Sequence, residues 1–143
     1  MTRPLVLSAL LLATVAAAPK PAPKPTAAAP ATTNSCSSCR ERRPILPASK
    51  FAKSEPEVAQ GYAIANKYPE TLDKIHCFCE CAESPMYRHK TLLTCFTDLH
   101  AAGCGVCLSE ARLAAQLKER GLSDAEIKNT VESVHKTDGH PAT

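Results

Sequence analysis

Apolar residues recur at helical spacing in the second half of this chain and hardly at all in the first. Val58, Tyr62 and Ala65 fall on one face of a helix predicted to open at the capping box Ser54-Glu-Pro-Glu57 and run to about Lys67. Pro69 starts another turn, and Leu72 and Ile75 lead on from it. A short helix is predicted from about Thr91 to Ala101, on Leu92, Cys95, Phe96 and Leu99. The longest begins at Gly103-Cys-Gly-Val-Cys107 and continues to Arg120, where Gly121 supplies a left-handed cap. Cys104, Cys107, Leu108, Ala111, Ala114 and Ala115 form its inward face. Ser123-Asp-Ala-Glu126 is a second capping box, flanked by Leu122 and Ile127 as a hydrophobic staple. Ile127, Val131 and Val134 give the last helix its inward stripe. The pattern predicts an all-α fold: a small Cys-rich domain of about four helices over residues 54–136, with a frayed tail over 137–143.

The first half reads differently. Arg3, the apolar stretch Leu5 to Ala13 and the small residues through Ala18 predict an export signal over residues 1–18, too short for an ordinary spanning helix. Pro19-Lys-Pro-Ala-Pro-Lys-Pro25 and the Ala/Thr stretch after it cannot bury a core, so residues 19–53 are predicted as a disordered Pro/Ala-rich stem. Charge divides at the same place. Residues 1–53 carry eight Lys/Arg against one acid, and residues 54–143 carry nine against thirteen. A basic stem can rest on an anionic membrane surface or serve only as a solvated spacer. The acidic folded half lacks basic and aromatic interleaving, which argues against nucleic-acid binding.

Eight cysteines then dominate the chemistry. Cys77, Cys79 and Cys81 alternate with Phe78 and Glu80, and in an extended run such residues share a face at about 6.6 Å per step. Bridges between such close neighbours are strained, so the run points to metal capture, thiol exchange or staples to distant cysteines. Cys104 and Cys107 lie one turn apart at a helix start, where the dipole favours thiolates. Together the two clusters can supply a tetrahedral set for zinc or soft ligands for copper(I), with an iron–sulfur cluster less suited. Cys95 is either a further ligand or a core thiol. His89 leads the imidazole candidates because it lies in a polar loop between cysteine clusters, and His76 and His100 are also near in sequence. Met86 offers a soft thioether, and Phe78 can screen the site. Cys36-Ser-Ser-Cys39, at the end of the stem, reads as an exposed local disulfide or an accessory metal clip.

Three functions compete. An exported protein that binds metal for sequestration or hand-over to an envelope partner comes first. A disulfide-stapled binding module is the runner-up, because a thin Ala/Leu/Val core needs staples. A thiol–disulfide oxidoreductase built on Cys104 and Cys107 lacks the βαβ setting of that chemistry. No phosphate loop or nucleophile elbow supports another enzyme.

The run from Tyr62 through His76-Cys-Phe-Cys-Glu-Cys81, His89-Lys-Thr-Leu-Leu-Thr-Cys95-Phe96 and Cys104-Gly-Val-Cys107 to Ile127 resembles bacterial exported proteins named for a Pro-Cys-Tyr-Cys-Gly-Cys motif. The likeness covers about half the chain, the scale of a small domain. It implies a periplasmic or extracellular, envelope-associated protein and assigns no activity. Three motif positions depart: His76 stands for Pro, Phe78 for Tyr and Glu80 for Gly. His76 can add a ligand, Glu80 can alter the turn that glycine allows, and the lipid-attachment cysteine of many relatives is missing, the first cysteine being Cys36.

Overall fold

The computed structural model describes residues 36–137, so the expected signal, residues 19–35 of the expected stem and the expected tail beyond Thr137 lie outside the described residues. Among the described residues the fold is all-α. It comprises α1 (Pro56–Lys67), α2 (Pro69–Leu72), α3 (Gly105–Glu119) and α4 (Asp124–Thr137), with short 3-10 turns at Ala48–Lys50, Leu93–Phe96 and Ala101–Gly103. The main packing is α1 against α3 and α3 against α4, with α2 touching all three. Gly61 is the point of closest approach between α1 and α3, since a Cβ there would collide with the Leu108 side chain.

The two ends of α3 and α4 follow from their residues. Gly121, at φ +88°, turns left-handed after α3. Its amide donates to the Lys118 carbonyl and that of Leu122 to the Leu117 carbonyl, the paired bonds of a Schellman cap. The Ser123 box closes as expected. The Ser123 amide donates to Glu126 Oε2 at 2.9 Å and the Glu126 amide reaches Ser123 Oγ at 3.4 Å. At α1 the expected box does not form. Glu55 is the N-cap without a side-chain bond, because the Phe51 carbonyl takes the amides of both Ser54 and Glu55 and the chain enters the helix through that turn.

The predicted helix over Thr91–Ala101 is replaced by two 3-10 turns. Its threonines and aspartate compete for the backbone. Thr97 Oγ1 donates to the Thr94 carbonyl, the Thr94 amide donates to Thr91 Oγ1, and Asp98 Oδ1 accepts the His100 amide. On α4, Val134 is 41% exposed, and His135 packs inward in its place, its Nδ1 on the Val131 carbonyl and its Nε2 against Ser109 Oγ.

The core extends further toward the N-terminus than the expected start at Ser54. Cys39, Ile45 and Phe51 are buried. Phe51 stacks on Tyr62 at 4.4 Å, and Tyr62 meets Phe96 edge-on at 5.1 Å. Asp73, buried, accepts the backbone amides of Arg40 (2.7 Å) and Glu41 (3.3 Å), and the Leu46 amide donates to the Phe96 carbonyl. Residues 39–53 are therefore part of the domain. Cys36 and Cys39 form a disulfide, with Cys39 buried rather than exposed.

Candidate metal centre

The cysteine run is not extended. It folds as consecutive turns, with Glu80 at φ +59°, so Cys77 and Cys81 both point inward and are buried while Cys79 is half-buried. Two acids hold this shape from outside the run. Buried Glu110 on α3 accepts the Phe78 amide at 2.8 Å, and Glu132 on α4 accepts the His76 amide at 2.9 Å. Further along, the His89 amide donates to the Cys81 carbonyl and the Leu92 amide to the Ile75 carbonyl, which pins the run against the segment that carries His89 and Cys95.

These elements bring six thiols together. Cys77 Sγ lies 3.3 Å from Cys79 and 3.5 Å from Cys107, and Cys79 and Cys107 are 3.7 Å apart. Cys81 and Cys95 are 3.4 Å apart. Cys104, the N-cap of α3, interacts with both Cys79 and Cys107. His100 Nε2 is 3.3 Å from Cys79 Sγ. His89 is 1% exposed, its Nε2 bonded to Asp98 Oδ2 at 3.0 Å and its Nδ1 buried without a partner. Donor atoms of Cys77, Cys79, Cys81 and Cys95 all lie within 4.8 Å of one another, as do those of Cys79, Cys95, His100 and Cys107, and those of Cys81, His89, Cys95 and His100. A metal ion can be held by such clustered donors.

The proton distribution within the cluster is uneven. Cys79 is driven strongly toward thiolate by S–H groups of Cys104, Cys107 and Cys77 that converge on it. Cys77 is pushed up, first by Cys107 and then by Cys79, and Cys81, Cys95 and Cys107 are raised by their sulfur neighbours Cys77, Cys107 and Cys104 respectively. The expectation that the α3 dipole makes thiolates of Cys104 and Cys107 is thus reversed. Cys107 lowers Cys104, but Cys79 and burial outweigh it and carry Cys104 up to about 11. Negative charge is therefore favoured at Cys79 over its sulfur neighbours, and a second thiolate beside it is costly until a cation arrives. Burial likewise lifts the Glu110 carboxyl to about 7 against the opposing pull of the Phe78 amide and Cys77.

Of the residues singled out by sequence, Cys77, Cys79, Cys81, Cys95, Cys107 and His89 share the donor sets, and Cys104 borders them through Cys79 and Cys107. Cys95 is both core thiol and potential ligand, fully buried and in contact with Cys81. His76 does not join them. Its ring stands edge-on against Phe78 at 5.0 Å, and it belongs to none of the donor sets. Met86 is 79% exposed. Phe78 is buried beside His76. His100 ranks higher than its sequence position indicated, because the 3-10 turns turn it toward Cys79 where a regular helix was expected. Glu110 was missed as an anchor. The signal was its place on the Cys107–Ala111–Ala114 stripe of α3, where a charge on a buried face needs a partner.

A family described as "Protein of unknown function with PCYCGC motif" matches residues 40–143. No curated protein and no solved structure matches the chain.

Proposed function

The chain belongs to the PCYCGC-motif family, and we propose that it binds a soft or borderline metal ion, copper(I) or zinc, through its clustered thiolates for sequestration or transfer in the cell envelope. One observation carries this reading. Cys79 has Cys77, Cys107, Cys104 and His100 around it, and Cys107 has Cys77, Cys79 and Cys104, so these sulfurs form a shared cluster instead of isolated pairs. Three independent staples need only one sulfur neighbour each. Thiolates suit copper(I), and the added imidazoles suit zinc. The export signal read in residues 1–18 supports an envelope location, and the half-exposed positions of Cys79 and Cys104 support hand-over to a partner.

Exchange chemistry at the Cys104–Cys107 pair fits the same geometry less well, because Cys107 is buried and both thiols are raised, the opposite of an activated nucleophile. Alkylation of the native protein with and without a chelator tests the proposal. The six cysteines outside the Cys36–Cys39 bridge should resist alkylation until the chelator is added and then react. Thiols that stay unreactive after chelation and appear only after reduction would show a stapled module instead.

A further inference from the structure

The cluster contains more donors than one ion can use. A zinc-like ion takes four ligands, whereas seven residues share the donor sets, five cysteines with His89 and His100, and Cys104 borders them through Cys79 and Cys107. Resting on the metal-binding reading, we infer that the chain holds two adjacent ions, one in an all-thiolate set of Cys77, Cys79, Cys104 and Cys107, the other in a mixed set of Cys81, Cys95, His89 and His100.

Cys95 belongs to all three donor sets and so sits between the two ions, and the division puts it with the two imidazoles. The donors of Cys81, His89, Cys95 and His100 lie within 4.8 Å of one another and form a complete four-ligand set. The remaining sulfurs make their own group. Cys77, Cys79 and Cys107 form a triangle with sides of 3.3, 3.5 and 3.7 Å, and Cys104 borders Cys79 and Cys107. The sets adjoin where His100 Nε2 meets Cys79 Sγ.

His89 supplies an independent pointer. Its Nε2 faces the Asp98 carboxylate, which fixes the ring N–H on Nε2 and leaves a lone pair on Nδ1. That Nδ1 is buried and has no hydrogen-bond partner, and the His89 ring offers a donor within 4.8 Å of those of Cys81, Cys95 and His100. A buried imidazole with its far nitrogen on a carboxylate and its near nitrogen unpaired is the arrangement of a metal-ligating histidine. Charge agrees. Each divalent ion offsets two thiolate charges, so a second ion lets more of the buried sulfurs ionise than one ion does.

The reduced full chain, loaded anaerobically with zinc and weighed by native mass spectrometry, should carry two ions. Cys81→Ser with His89→Gln should leave one, and so should Cys104→Ser with Cys107→Ser. Loaded with cobalt(II), the first pair should lose about one third of the thiolate charge-transfer absorption and the second about two thirds, because that intensity follows the number of bound sulfurs. His100→Gln, a change at a half-buried ring, repeats the first measurement if the Cys81 variant loses its helical circular dichroism. One ion per chain, removed by either pair, would overturn the two-ion assignment and leave metal binding standing; more than two ions would overturn it as well. No ion retained by the reduced chain would overturn the metal reading itself.

Discussion

Glu80 sits at φ +59°, a conformation that costs a side-chain-bearing residue roughly 1–2 kcal/mol and glycine almost nothing. The family motif has Gly at this place, and the chain keeps the glycine turn while paying for a glutamate. Glu80→Gly should therefore raise the stability of the reduced protein by about 1 kcal/mol in urea unfolding. A loss of stability would show that the Glu80 side chain contributes something the backbone conformation hides. Asp98 works at the same scale. By holding His89 Nε2 it orients Nδ1, and Asp98→Asn should weaken metal affinity about 10–100-fold in chelator competition. Its carbonyl, which accepts from Tyr62, is untouched by that change. The cysteines and His89 could be read from type and spacing alone. Asp98, Glu110 and His100 could not be ranked that way, because their roles depend on contacts such as His100 to Cys79 and Glu110 to the Phe78 amide.

Among the elements, α1, α3 and α4 were legible because each has an apolar stripe and at least one clear stop. The middle segment was not. Thr91, Thr94, Thr97 and Asp98 carry side chains that take over backbone bonds, and a 3.6-residue apolar spacing says nothing about that competition. The joint between α2, α3 and α4 is electrostatic. Asp124 at the start of α4 accepts from Lys118 at 2.6 Å, Lys74 at 2.7 Å and Thr71 at 2.8 Å. The Lys118 and Lys74 contacts hold its carboxyl well below the usual range, so its stabilisation is present above about pH 4, the unfolded carboxyl value, and is lost as pH falls through the lower folded value. Asp124→Asn should lower stability at pH 7 and flatten the decline below pH 4 in acid titrations followed by circular dichroism. An unchanged acid limb would place the acid sensitivity elsewhere.

At the scale of the whole molecule the metal centre and the core are one object. Cys77 and Cys107 join the cysteine run to α3, and Cys81 and Cys95 join it to the Leu93–Phe96 turn, all of them buried within the same apolar cluster. Filling the site cross-links segments distant in sequence, so metal affinity and folding are linked, worth about 4 kcal/mol at a free metal concentration a thousandfold above Kd. The N-terminal extent of this body was hidden in the sequence, since Cys39, Ile45 and Phe51 are too widely spaced among Arg and Pro to show a period. The central claim is metal binding by the cysteine cluster, and the metal-to-protein ratio of anaerobically purified wild type against Cys77→Ser with Cys79→Ser tests it most directly. We predict bound copper or zinc in the wild type and a loss of at least half of it in the variant; equal metal content in the two proteins would contradict the account.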